Sequence, residues 1–273
     1  MAKISRRGFI ISGALLGGGL FLGISLSGDR KPVLKAGPGE SLINAWLKIS
    51  DDGRVIVVVP QVEMGQGVYT SLPMLVADEL GADWSSIEIE PAPVDPLYAN
   101  VALIKAGIEE NEALPAAFRA IGLWAAKGLA EFLGIQVTGG STSIRNWWLS
   151  LRQVSAAARE MLIGAAAERW AVNPDICFTE AGFVLRRGSS DKLGFGELAA
   201  AAALISPPAE PVLKAPGDWQ LIGRPVKRLD TPEKVAGKAI FGIDVRLPGM
   251  AYAAIRASQV LGGKLEGFDG LAA

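Results

Sequence analysis

Glu63-Met64-Gly65-Gln66-Gly67-Val68-Tyr69-Thr70 joins a hydrophobic strand pattern to an apolar helical one. Glycines on both sides of an amide side chain let the backbone come close to a ligand, and the amide offers one acceptor and two donors. Upstream, Ala45 to Ile49 and Arg54 to Val59 are β-rich runs joined by Asp51-Asp52-Gly53, a turn sequence, so they predict a hairpin. Downstream, Leu72, Leu75, Val76 and Leu80 recur at helical offsets within Val68 to Leu80, with Pro73 placed near the first turn. Gln66 therefore falls at a strand-to-helix junction, where free backbone N–H groups and the helix dipole favour anionic oxygen. A plain tight turn would carry the same pattern.

A second element has the same character. Thr138-Gly139-Gly140-Ser141-Thr142-Ser143 precedes a helical segment from Leu149 to Trp170, whose Leu151, Val154, Ala158, Leu162 and Ala165 lie near one face. Hydroxyls and free N–H groups ahead of a helix form an anion-binding nest; an ordinary Ser/Thr loop with an N-cap is the alternative.

With both turns in view, the chain resembles the molybdopterin-binding large subunits of the xanthine dehydrogenase and aldehyde oxidase family, of the isoquinoline 1-oxidoreductase β-subunit type. The resemblance is carried by Glu63 to Gly67 with Thr70, by Val137 to Ser143 with Arg145, and by Leu151-Arg152-Gln153 with Ala156-Ala157-Ala158-Arg159. A third block, Gly223-Arg224-Pro225-Val226-Lys227-Arg228-Leu229-Asp230-Thr231-Pro232-Glu233-Lys234-Val235-Ala236-Gly237 followed by Phe241 to Met250, is similar to the opening of that family's α/β hammerhead domain. The fold class it implies is α+β: the N-terminal part of a molybdopterin-binding domain, then the start of the hammerhead domain, with a hydrophobic signal or anchor helix in front. The expected divisions are a signal or anchor at 1–28, a linker at 29–40, a partial molybdopterin-binding domain at 41–205, a linker at 206–222, and a hammerhead start at 223–273.

The resemblance further implies that Gly65, Gln66 and Gly67 contact a molybdenum–molybdopterin cytosine dinucleotide, and that Thr138, Gly139, Gly140, Ser141, Thr142 and Ser143 hold its phosphate or pterin portion. Arg145 adds positive charge there, or is a plain surface arginine. The implied activity is hydroxylation of aldehydes or of N-heteroaromatics such as isoquinoline, with water as the oxygen source. Electrons would leave through a small [2Fe-2S] subunit, with a cytochrome c as a further candidate partner. The family's catalytic glutamate lies beyond Ala273, so the resemblance implies an N-terminal portion that is inactive alone. Glu63 is expected to fix its own turn by accepting backbone hydrogen bonds. The competing functional class is a membrane-anchored, noncatalytic cofactor-binding or assembly protein, or a nonfunctional remnant.

Composition removes other classes. The 27 basic and 28 acidic residues of this 273-residue chain, without a basic aromatic stripe, offer nucleic acid no electrostatic footprint. With no histidine there is no imidazole relay or histidine-ligated zinc, and the single Cys177, in a short β-like run, reads as a buried structural thiol.

Lys3, Arg6 and Arg7 precede an uncharged stretch from Gly8 to Gly28, and Ser5-Arg6-Arg7-Gly8-Phe9-Ile10 resembles a twin-arginine export signal. The expected location is the periplasm. Lacking a small-x-small cleavage site, the stretch also approaches the roughly 20 residues that span a bilayer, so an inner-membrane anchor stays open, as does a general secretory signal.

Ile87 to Glu90 alternates as a strand ended by prolines. Residues 101–133 look like an insertion in the family pattern, with Ala116, Ala120, Leu123, Trp124, Leu129 and Phe132 suggesting an amphipathic helix. Ile176 to Thr179 and Phe183 to Leu185 predict a short hairpin, Gly196 to Leu204 a helix, and Ser206 to Pro211 a boundary. Gly237 to Ala257 reads as β-like runs with Pro248-Gly249 as turn.

Overall fold

The computed structural model describes residues 34–109 and 115–270; the N-terminal signal or anchor lies outside them. The Asp51-Asp52-Gly53 hairpin forms as its sequence predicts: β2 (Leu47–Ser50) pairs antiparallel with β3 (Val55–Val59), Leu47 opposite Val57, and Gly53 takes φ 88°. A further strand that the sequence does not announce, β1 (Glu40–Asn44), lies antiparallel on the other side of β2. All five residues of β3 are buried. That is why Val55-Ile56-Val57-Val58-Val59 is uninterruptedly aliphatic, as a strand covered on both faces must be.

From β3 the chain crosses over through α1 (Val68–Leu80) and returns as β4 (Ile87–Pro91), parallel to β3 with Val55 opposite Ile87, giving the order β1-β2-β3-β4. The alternation in β4 suits an edge: Glu88 reaches Arg54 at 2.8 Å, and Glu90 reaches the buried Lys48 at 2.5 Å, which Glu40 also contacts at 2.8 Å. Pro73 is the sixth residue of α1 rather than a first-turn residue. It leaves the Tyr69 carbonyl without its usual donor, a cost of about 3 kcal/mol in a helix interior, offset by burial of Leu72, Leu75, Val76 and Leu80.

After β4 come α2 (Val101–Glu109) and α3 (Ala116–Leu133), which pack on each other, then the long α4 (Thr142–Trp170). Leu151, Val154, Ala158, Leu162 and Ala165 of α4 are all buried, and this face lies along α1. The helix expected there forms. Among its described side chains Ala126 and Ala130 are buried and Leu123 is half-buried, whereas Trp124, Leu129 and Phe132 are exposed.

A three-stranded antiparallel sheet follows: β5 (Cys177–Glu180), β6 (Phe183–Arg186) and the short β7 (Lys192–Gly194). The two-residue turn Ala181-Gly182 has φ 47° and 82°, the paired positive values a hairpin of this length requires. Cys177 is a free, buried thiol, and burial pushes its pKa up, as a structural cysteine's should be. Then α5 (Phe195–Ala202) packs on α4 and on the first sheet, with Gly196 so close to the β2–β3 turn that an added Cβ would collide with the Asp51 backbone.

Residues 206–222 contain only a 3-10 turn, Pro216–Asp218, in keeping with their prolines, yet they are bound firmly to α1 and α4. The Asp78 carboxylate accepts from the backbone N–H groups of Gln220, Leu221 and Ile222 at 2.8 to 3.1 Å. Beside it, the fully buried Glu79 accepts from Arg152 at 2.6 Å, from Arg159 at 3.2 Å and from the Lys214 N–H at 3.0 Å. The compact unit accordingly runs to Thr231.

A second unit spans 232–273. Its described residues hold the end of α6 (Thr231–Val235) and a 3-10 turn, Gly242–Asp244, and no strand. The Pro248-Gly249 turn is present, with Gly249 at φ 73° and the Met250 N–H donating to Leu247 O at 3.1 Å. The β-like runs around it stay unpaired, because a strand needs a neighbour for its N–H and C=O groups and none is supplied within the described part of this unit.

Candidate functional site

The Glu63–Gly67 turn is organised by the Glu63 carboxylate. Its side chain is only 6% exposed. Oε1 accepts from the N–H groups of Gly65 at 2.7 Å and Gly67 at 3.0 Å, and Oε2 accepts from the Tyr69 N–H at 3.0 Å. Gly65 and Gly67 take φ 104° and 86°, values at which any other residue would be strained. Arg228 locks the arrangement from 165 positions downstream, donating to Glu63 Oε1 at 3.1 Å and to Gly65 O at 2.9 Å while pairing with Asp230 at 2.8 Å. Burial opposes ionisation of Glu63, but the three backbone donors and the Arg228 charge outweigh it and hold its carboxyl below the usual range. A carboxylate so fully engaged is a scaffold for the turn, which is the role its sequence suggests.

Gln66 is committed to the same turn. Its Oε1 accepts from the Met64 N–H at 2.6 Å and its Nε2 donates to Val62 O at 2.7 Å, leaving one N–H and one lone pair for any ligand.

The second turn lies directly against the first. Thr138 Oγ1 accepts from the Val62 N–H at 2.9 Å, and Ser143 Oγ donates to the Oε1 of buried Gln61 at 3.4 Å. Thus Gly65, Gln66 and Gly67 share one locality with Thr138 to Ser143, although more than seventy positions separate them in sequence. Helix α4 begins at Thr142, seven residues before the expected start, so Thr142 and Ser143 are first-turn residues and the loop proper is Thr138 to Ser141. Gly140 and Ser141 are both left-handed, at φ 60° and 52°. Ser141 holds the N-cap position without capping by its side chain, and the Thr142 hydroxyl turns back to Gly139 O at 2.6 Å. The Ser/Thr N-cap alternative is therefore not what forms. First-turn N–H groups left without a side-chain acceptor give the positive end of α4 to whatever lies in front of it.

Gly139 tests whether this surface suits a bulky anionic ligand. Its φ is not left-handed and a Cβ there would meet nothing within 4 Å, so neither conformation nor internal packing calls for glycine. The position faces open space. Beside the same helix end, a cleft of about 200 Å³ is lined by Ala102, Lys105, Arg145 and Asn146. Two cations beside an uncapped helix N-terminus match a phosphate or pyrophosphate. Among the described residues no group of three or more His, Cys, Asp and Glu side chains is arranged to hold a metal.

Three further residues contribute to the site: Asn100, Gln61 and Arg228. Asn100, fully buried, donates to Val137 O at 2.8 Å and Thr142 Oγ1 at 2.6 Å and so ties the start of α2 to the second turn. Gln61 is a buried amide at the end of a strand pattern, and its polarity at an otherwise aliphatic position is the one clue that could point to it. Arg228 belongs to the third resemblance block, yet its contact with the first turn spans most of the chain.

The family model described as molybdopterin cofactor-binding domain matches residues 12–97, which include the first turn and stop short of the second. The β-subunit of isoquinoline 1-oxidoreductase from Brevundimonas diminuta is 30% identical over 296 residues, covering 95% of this chain and 34% of that one. Membrane-bound aldehyde dehydrogenase [pyrroloquinoline-quinone] of Gluconacetobacter polyoxogenes is 29% identical, covering 92% and 29%. The B-subunit of nicotinate dehydrogenase from Pseudomonas putida is 26% identical, covering 76% and 14%. The chain thus spans about a third or less of the length of these curated relatives. With both glycine turns in contact and relatives matched across nearly its whole length, the chain belongs to the molybdopterin-binding family of the isoquinoline 1-oxidoreductase β-subunit type.

Proposed function

We propose that this chain forms the cofactor-binding part of the large subunit of a molybdenum-dependent oxidoreductase that hydroxylates aldehydes or N-heteroaromatics. Its cofactor is the cytosine dinucleotide form of molybdenum–molybdopterin. The bound group would supply the redox and oxygen-transfer chemistry; the residues described here bind and orient it. Gly65 and Gly67 present backbone to it, Gln66 offers its remaining N–H, and Thr138 to Ser143 receive an anionic portion. Lys105 and Arg145 are the charges placed to neutralise a phosphate. Residues 41–205 form part of a molybdopterin-binding domain and 223–273 open the hammerhead domain. A [2Fe-2S] subunit carries the electrons away, with a cytochrome c beyond it, and the Arg6-Arg7 signal delivers the folded, loaded subunit to the periplasmic side of the inner membrane.

The observation that supports this most is the apposition of the two turns through Val62 and Thr138, with the neighbouring Gly139 open to its surroundings. Gly139→Leu tests it, since the fold has room for the side chain but a ligand there would not. Produced in a host that makes the cytosine dinucleotide cofactor, the unaltered chain should carry molybdenum and release cytidine monophosphate on acid hydrolysis. The Gly139→Leu chain should carry neither while unfolding at an unchanged temperature. Equal loading of both chains would defeat the proposal.

A further inference from the structure

Glu63 holds the first turn on both sides of Gln66 but leaves the peptide between to another residue. Its Oε1 accepts from the Gly65 N–H and the Gly67 N–H, which fixes the Met64–Gly65 and Gln66–Gly67 peptides. The Gly65–Gln66 peptide is held from its other end, where Arg228 Nη1 donates to the Gly65 carbonyl at 2.9 Å. This peptide is trans, so its C=O and N–H point in opposite directions. With the carbonyl pinned toward Arg228, the Gln66 main-chain N–H is directed away from it, and it donates to no acceptor among the described residues. Glycine at 65 places no steric bar on turning the peptide over, so its orientation has to come from a contact.

The Arg228 guanidinium is itself well fixed. Nε and Nη2 donate to the two carboxylate oxygens of Asp230 at 2.9 and 2.8 Å, and Nη2 also reaches Glu63 Oε1 at 3.1 Å. Its backbone is held as firmly. The segment 212–230 bonds to the last turn of α1 through Asp78 and Glu79, then to the first turn, where the Leu229 N–H donates to Thr70 Oγ1 at 3.1 Å. It thus runs back along α1 as a strap and delivers Arg228 to the turn that precedes the helix. A guanidinium can serve one carbonyl and two carboxylates together because its donors form a planar fork; an ammonium is a point charge without that geometry.

We propose that Arg228 is a positioning residue for the cofactor site: by holding the Gly65 carbonyl it sets the Gly65–Gln66 peptide so that the Gln66 main-chain N–H is presented to an acceptor oxygen of the bound cofactor. The inference rests on the cofactor-binding reading above. It adds a main-chain donor to the site and gives the strap a task there besides closing the fold.

Gly65-Gln66 is the chain's one Gly-Gln dipeptide. Glycine labelled with carbon-13 at its carbonyl and glutamine labelled with nitrogen-15 at its α-amino group therefore mark this single peptide bond for nuclear magnetic resonance. The full chain is prepared with these labels without cofactor, and separately in a host that makes the cytosine dinucleotide form, where retention is read as the cytidine monophosphate still released on acid hydrolysis after prolonged dialysis. Wild type, Arg228→Lys and Lys214→Met are compared. Lys214→Met removes the ammonium that donates to the Asp78 carbonyl and so loosens the far end of the strap without touching the turn. The expected result is one carbonyl–amide cross-peak in wild type and Lys214→Met but a split or exchange-broadened one in Arg228→Lys. Cofactor should leave Arg228→Lys about tenfold faster than the other two, the scale of one lost hydrogen bond. An Arg228 that served only to fasten the strap would leave the cross-peak single in its lysine variant. That result, or a lysine variant that keeps cofactor as long as wild type, overturns the proposal and leaves the cofactor reading standing. A wild-type chain that carries no cofactor overturns both.

Discussion

Replacing Glu63 should undo the first turn in a graded way. In Glu63→Ala the N–H groups of Gly65, Gly67 and Tyr69 lose their acceptor together, and Arg228 keeps only Asp230 and the Gly65 carbonyl. Hydrogen bonds to charged groups contribute about 1.5–3 kcal/mol each, and the lower end applies here because the turn borders solvent and water can replace part of the loss. Three such bonds would total over 4 kcal/mol, and rehydration of the exposed amides returns some of it, so we expect about 3 kcal/mol. Glu63→Gln should cost less, about 1–2 kcal/mol, because an amide oxygen can still serve Gly65 and Gly67 while its NH2 now opposes the Tyr69 donor. Urea unfolding gives the totals, and amide hydrogen exchange should localise them, with Gly65, Gly67 and Tyr69 exchanging faster in the order wild type, Gln, Ala. An Ala variant within about 0.5 kcal/mol of wild type, the spread of ordinary surface changes, with unaltered exchange at these amides, would refute the assignment of Glu63 as the turn's organiser.

Other perturbations follow from the same contacts. A carboxylate whose folded pKa lies below its unfolded value binds fewer protons in the folded state, so Glu63 stabilises the fold above about pH 4 and that contribution fades as pH drops through its folded pKa; exchange at Gly65 and Gly67 should quicken in acid in the wild type and lose this step in Glu63→Gln. Glu79→Ala leaves Arg152 and Arg159 buried without their carboxylate and should cost about 3–5 kcal/mol in urea unfolding, far more than any exposed pair. Gly196→Ala drives a Cβ into the Asp51 backbone and should destabilise by about 1–3 kcal/mol, read as a lower thermal midpoint. Arg6→Lys with Arg7→Lys keeps the charge but removes both guanidinium groups, and should leave the protein in the cytoplasm on cell fractionation.

The elements legible in sequence are those whose pattern is local. The β2–β3 hairpin announces itself through Asp51-Asp52-Gly53 between aliphatic runs, α1 through its apolar spacing, and the β5–β6 hairpin through Ala181-Gly182. Sequence spacing puts the α4 start too late because Thr142 and Ser143 look like loop residues; only the left-handed Gly140-Ser141 pair shows that the helix begins there. Strands expected in the second unit do not form, because alternation reports which faces could be buried and says nothing of whether a partner strand is supplied. On α3 the same limitation shows in reverse: apolar residues at helical spacing point inward on paper, yet Trp124, Leu129 and Phe132 are exposed while the smaller Ala126 and Ala130 are buried. At the candidate site both glycine turns are legible as motifs. The contacts that join them, Val62 to Thr138 and Gly65 to Arg228, depend on long-range packing that no window of sequence contains.

Backbone exchange with and without the molybdopterin cytosine dinucleotide addresses the central claim, that two turns distant in sequence form one cofactor site. Loaded and cofactor-free preparations of the chain would be compared amide by amide. Slower exchange is expected on loading at Gly65 to Gly67 and at Gly139 to Arg145 together, with β5 to β7 unchanged. Protection confined to one turn, or found only away from both, would contradict the claim.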